Sequence, residues 1–312
     1  MVYKFFDDQG NHLAALITYF AFLSTFPLLL LGTSILGFVL QGSPQLESTI
    51  LDSALGQFPI IGDQLSAPSG LPGSGLALVI GAIGVLYGAL GIAVQAQNAL
   101  NVAWAVPRNH RPNPLMLRVR GLGLLCVAAV ALLATAVLTA LAADVDVLGM
   151  TFGGWPLWAV RATTLVFTAG FLTLLFWMST TDAHRLRDDV AGAVLAALLW
   201  QGMQILGVRF IDQVVRGSSV ATGVFAVVLG LLVWMYAGAI LTVLCIEVNV
   251  VRARRLYPRA LLAPFTDDVD LTDADMRAYT SYANAQRTKD FATVRVRFDH
   301  DGQHATAQRE QD

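Results

Sequence analysis

Six stretches of this chain carry no Asp, Glu, Lys or Arg over about twenty residues or more: Leu13–Leu40, Leu76–Val106, Gly121–Ala143, Ala162–Thr181, Val190–Val208 and Gly217–Ile246. A helix needs about 20 apolar residues to cross a hydrocarbon layer of about 30 Å, so each stretch is long enough to span a bilayer. The expected fold is therefore all-α: a polytopic membrane protein with a six-transmembrane-helix bundle, its spans at about 13–40, 76–106, 121–143, 162–181, 190–208 and 219–246. Residues 1–262 form the transmembrane domain, and 263–312 form a short polar cytoplasmic tail, partly disordered. A mean hydropathy of +0.61, with 13% charged residues, sets the chain apart from an ordinary soluble domain.

Lys and Arg near span ends are retained on the cytoplasmic side, so their placement sets orientation. One set of connections holds Lys4, Arg108, Arg111, Arg118, Arg120, Arg185, Arg187, Arg252, Arg254, Arg255 and Arg259; the other holds Arg161, Arg209 and Arg216. That asymmetry places both termini in the cytoplasm. Signal-peptide apolar regions run about 7–15 residues, and the first apolar run is nearly twice as long, so it is expected to stay in the mature protein.

Outside the bilayer, Leu46, Ile50, Ala54, Leu55 and Phe58 recur at helical spacing and predict a short surface helix. From Ala263 onward ten acidic residues face six basic ones, which makes the tail peripheral. Within it, Leu271–Thr288 predicts a helix capped by Thr272 with Asp273 and Asp275 in its first turn, and Thr293–Phe298 alternates like a strand. Cys126 and Cys245 both fall inside apolar spans and are expected to be buried packing residues.

An unpaired polar group in hydrocarbon must find a partner within the bundle, so polar residues in the spans are the candidates for function. In the first span, Pro27 cannot bond the carbonyl of Leu23, and Ser24 can satisfy freed backbone groups nearby; Tyr19 lies just upstream. The second span ends in Gln95, Asn98 and Asn101, with Gln97 beside them, after a stripe of Gly81, Gly84, Gly88 and Gly91. Small-residue stripes permit close helix approach, either within the chain or in a homo-oligomer through Gly84 and Gly88. The last span adds Tyr236, Glu247 and Asn249. Two arrangements are open: these groups line a polar cavity open to the cytoplasm, or Glu247 pairs with Arg252 or Arg254 while the amides cross-link helices. Gln201 and Gln204 are expected to bond neighbouring helices, and Arg209 and Asp212 offer an ion pair near a span end.

These residues bring a family into view. Ala14 through Pro27 and the three leucines after it, Gln97-Asn-Ala-Leu-Asn-Val-Ala-Trp104 with Val106-Pro-Arg108, and Val233-Trp-Met-Tyr236 through Glu247-Val-Asn249 resemble the signatures of the YihY/BrkB family of bacterial inner-membrane proteins. The tail from Leu271 is similar to the actinobacterial branch, and Cys245-Ile246 stands where the family usually has Gly-Ala. The resemblance implies a six-helix inner-membrane protein without an established substrate. The family has also carried a ribonuclease label, which this chain does not support: its soluble segments hold no metal-binding carboxylate or His cluster, and its acidic tail is unsuited to RNA.

The expected function is transport or flipping of a lipid-like or amphiphilic envelope molecule, with Tyr19, Ser24, Pro27, Gln95, Asn98, Asn101, Tyr236, Glu247 and Asn249 as the substrate path. The alternative is a non-transporting envelope scaffold that meets partner proteins through its cytoplasmic tail. Neither reading needs a cofactor, a metal, nucleic acid or enzymatic chemistry; membrane lipids are the expected surroundings and partners.

Overall fold

The computed structural model describes residues 1–40, 75–143, 157–181, 184–216, 220–261 and 270–298. The expected surface helix over 46–58 lies outside them. A short helix α1 (Val2–Asp7) leads into six long ones: α2 (Gly10–Leu40), α3 (Gly75–Ala103), α4 (Pro114–Ala143), α5 (Leu157–Ser179), α6 (Leu186–Arg216) and α7 (Val220–Ala253). The tail adds α8 (Asp273–Ala285). No strand occurs among the described residues, so the architecture is all-α.

Five stretches of 18 to 29 residues, in α2, α3, α4, α5 and α7, are long and apolar enough to cross a membrane. The remaining expected span, 190–208, lies inside α6, whose first turn carries Asp188 and Asp189, and it is not among the five. Leu86, Val130, Leu133, Val166, Trp200, Phe225 and Val233 point outward, the surface a helix presents to lipid rather than to water.

The long helices close into a ring in chain order, α2 on α3, α3 on α4, and so on through α7, which returns to α2. The glycine stripe explains the tightest of these contacts. A Cβ added at Gly84 would sit 2.6 Å from the Pro27 ring, and one at Gly88 would sit 2.4 Å from Cβ of Ser24; Gly81 faces Leu31, and Gly91 faces Phe20. The stripe is thus occupied by α2 of the same chain. The α2 helix continues through Pro27. Ser24 does not serve the carbonyl freed at Leu23; its hydroxyl donates to Ala21 O at 2.8 Å, and Thr25 donates to the same oxygen at 3.0 Å.

Two long helices stop at the same end by the same device. Ala105 and Arg255 adopt left-handed backbone (φ 48° and 51°), and the amides that follow turn back, Val106 N–H to Asn101 O at 2.9 Å and Leu256 N–H to Val251 O at 3.0 Å. At this end Leu100, Ala103, Trp104, Phe176, Ala193, Ile246, Val250 and Leu256 form a core, and Ala278 of α8 is buried in it. The tail helix therefore docks on the bundle. Its start matches the expectation: the Thr272 hydroxyl accepts from the Asp275 amide while the Asp275 carboxylate accepts from the Thr272 amide.

Two expectations are corrected. Residues 293–298 form no strand, because no unpaired strand is offered to them among the described residues. Cys126 is exposed on α4, which packs only against its two ring neighbours to any extent; Cys245 is buried as expected.

Candidate functional site

The start of α2, the end of α3, the starts of α4 and α6, and the ends of α5 and α7 meet at one end of the bundle, tied by contacts such as Asn101 to Thr181 and Arg254 to Trp104. Two buried polar clusters occupy this end.

The first joins α1, α7 and α8. Lys4 pairs with Asp8 one turn later, and its Nζ lies 3.3 Å from Glu247 Oε2; all three side chains are buried, Glu247 completely. The Lys4 ammonium also sits 5.4 Å from the centre of the Tyr282 ring. Beside this triad, Arg259 bridges Asp7 at 2.7 Å and Asp275 at 3.0 Å. Burial pushes the Asp8 carboxyl well above the ordinary carboxylate range; Lys4 opposes the shift and Glu247 adds to it. Asp275 behaves oppositely. Burial works against its charge, yet the Ala260 amide, the Thr272 hydroxyl and Arg259 together hold its carboxyl down at about 2. Burial also raises the Tyr282 phenol.

The second cluster joins α3, α6 and α7. Asn249 is fully buried, accepts from the Gly192 amide at 2.5 Å and reaches Asp189 at 3.5 Å. Asp189 in turn faces the His184 ring nitrogen at 2.6 Å, and that ring stacks on Trp104 with centroids 4.3 Å apart. Arg254 donates to the Trp104 carbonyl and lies over the indole. Gly192 is needed here, since a Cβ on it would lie 2.1 Å from the Cys245 carbonyl.

The sequence-predicted residues separate into three groups. Asn101, buried, accepts from the Thr181 amide at 3.1 Å, and Gln97, also buried, donates to Ala93 O and to Leu117 O across to α4. Glu247 and Asn249 belong to the two clusters, and Tyr236 packs, half-buried, on the small core around Phe5, Ala14, Ala239 and Val243. Tyr19, Ser24, Pro27, Gln95 and Asn98 lie apart from these on α2 and α3. Tyr19 is 59% exposed, and Asn98 donates to Gln95 at 3.3 Å on a half-buried surface. Among the described residues, Asn101, Glu247 and Asn249 meet different partners: Thr181, Lys4 and Gly192. Glu247 pairs with Lys4 and not, as one of the two open arrangements had it, with Arg252 or Arg254: α1 delivers Lys4 to it, while Arg254 donates to the Trp104 carbonyl.

Gln204 is exposed rather than bonded inward, and the side chains of Arg209 and Asp212 lie outside the described residues. Reading the spans alone missed Lys4, Asp7, Asp8, His184, Asp189 and Arg259. The available signal was the Lys4/Asp8 spacing of one helical turn just before the first span, and Asp188-Asp189 opening another. Among the described residues no group of three or more His, Cys, Asp or Glu could hold a metal ion.

Residues 1–268 match the family described as Virulence factor BrkB. The chain belongs to that family. Among curated relatives, the inner membrane protein YhjD of Escherichia coli (strain K12) is 27% identical over 263 residues, covering 78% of this chain and 76% of its own. An uncharacterized protein of Dickeya dadantii (strain 3937) is 26% identical over 264 residues, 78% of each chain. No solved structure matches. With its lipid-facing helices, this BrkB-family chain is an all-helical integral membrane protein, and its conspicuous buried charges sit at one end of it, not midway.

Proposed function

We propose that this BrkB-family protein moves a lipid-like or amphiphilic envelope molecule across the bacterial inner membrane, along the outward side of the α2–α3 seam. The inner-membrane location rests on the printed name of the YhjD relative and on the apolar helices. Both termini face the cytoplasm in this reading, because the arginine-rich connections gather at the end where α1 and α8 lie.

One observation carries the proposal: polar groups lie along a helix seam that faces lipid. Tyr19 and Tyr87 are 59% and 61% exposed on either side of it, Phe20 packs between them at 6.3 Å from Tyr87, and the half-buried Gln95–Asn98 pair follows on α3. Polar side chains on a lipid-facing surface carry a solvation cost and so mark functional positions. A substrate with a polar head and apolar chains fits such a seam, its head following the amides and phenols while its chains stay in lipid. Asn101, Glu247 and Asn249 act in this reading as locks at the cytoplasmic end.

Reconstitution into liposomes tests it. Fluorescent-lipid scrambling above the rate of empty vesicles is expected, and Asn98→Leu with Tyr19→Leu should slow it; wild-type rates equal to empty vesicles would end the proposal. A scaffold function has one observation in its favour, Phe291, which is 88% exposed in the tail with Val294 nearby. Crosslinking pull-downs with Phe291→Ser separate the two, since transport should survive that change and a tail-dependent partner should not.

A further inference from the structure

We propose that the Lys4–Asp8–Glu247 triad is an exchangeable proton site, in which one proton shared by the Asp8 and Glu247 carboxyls holds α1 against the end of α7. The triad has two acids and one base, all nearly excluded from water. Fully ionised, it would bury a net negative charge. Both oxygens of Glu247 lack a hydrogen-bond donor, although Lys4 stands within ion-pair distance of one of them. Asp8 and Glu247 both pair with the one Lys4 ammonium. A single proton resolves both features: it supplies a donor and leaves one carboxylate for one ammonium. The proton belongs to the pair, not to either residue alone.

The surrounding groups strengthen the site. From α1 come Lys4, the neighbouring Asp7 and the Met1 amino group, which interacts electrostatically with Glu247. From α7 comes Glu247 itself. From α8 the Tyr282 ring covers Lys4, and its hydroxyl lies 3.4 Å from Asp7 Oδ2. Arg259 is taken up by Asp7 and Asp275 and is not available to neutralise the triad. Loss of the proton would leave two carboxylates on one buried ammonium between α1 and α7, so the site links proton occupancy to the packing of the first segment, the last long helix and the tail. The inference is independent of any transported substrate.

Infrared titration of the full chain in detergent micelles tests it. Exposed carboxyls lose their acid carbonyl band near about pH 4. The wild type should retain such a band at about pH 6–7 and lose it on further alkalinisation. Asp8→Asn and Glu247→Gln, each a neutral replacement of nearly equal shape, should each abolish the retained band. Aspartate-specific ¹³C labelling then reports how the proton is divided within the pair. No acid band in the wild type above about pH 6, or an unchanged band in both variants, overturns the proposal; the wild-type titration alone suffices if a variant does not fold.

Discussion

Lys4 Nζ lies 3.3 Å from the carboxylate of Glu247, closing a contact between the first helix and the end of the last long one. Both side chains are buried, so the pair has no water to replace a lost partner. Around it the chain brings together α1, α7 and α8, which explains why a tail too small for a core of its own is nevertheless ordered through α8.

Removing one partner should therefore cost far more than removing both. Lys4→Met is expected to destabilise the protein by about 3–5 kcal/mol, the cost of stranding a buried charge. Lys4→Met combined with Glu247→Gln should recover part of that loss, as read by thermal unfolding in detergent; a double loss equal to the sum of the two single losses would argue against coupling.

Low pH should release the tail through Asp275. Its folded carboxyl titrates at about 2, below the unfolded value of about 3.9. The unfolded state thus binds the proton more readily, and the stabilisation is complete above about pH 4 and disappears as pH falls toward about 2. Amide exchange in α8 should speed up over that interval, and Asp275→Asn should be fast already at neutral pH.

The α2–α3 seam should reject side chains at its glycines. Gly84→Val and Gly88→Val place carbon against the Pro27 ring and the Ser24 backbone, and should each lower stability by about 1–3 kcal/mol through overpacking. Gly123→Ala on α4, where nothing lies within 4 Å, should be neutral in the same melting experiment.

At the second cluster, Asn249→Leu removes a buried amide that accepts from the Gly192 N–H and donates to the buried Asp189 carboxylate, and should cost about 1–3 kcal/mol for the polar groups that lose it. Gly192→Ala should be at least as damaging, because the obstacle is the Cys245 carbonyl of the backbone, which cannot rotate away. Expression level and melting temperature check both.

Ala105 ends α3 in a left-handed conformation that costs a non-glycine residue about 1–2 kcal/mol. Ala105→Gly should relieve part of this and raise the melting temperature, provided the turn itself is kept.

How much was legible in the sequence differs by element. The α2 to α5 and α7 spans could be read directly, since freedom from charge over a bilayer's width is a one-dimensional property. The Thr272 cap was legible for the same reason: Asp275 lies three residues on, within one turn. The triad was not, because Lys4 reads as a topogenic charge until α1 is folded under α7. Which neighbour each polar residue of the spans meets was not legible either: Asn101 meets Thr181 and Asn249 meets Gly192, although both lie near the same end.

The amino-acid order by itself determined the solvent in which this chain is stable, the helical character of its spans and the capped helix of its tail, because apolar length and local spacing act along the chain. Only the tertiary structure decided which buried charge meets which, why the glycine stripe faces α2, and where the tail rests. Those outcomes depend on the azimuth of each helix in a closed ring, and azimuth is fixed by packing against neighbours that are remote in sequence.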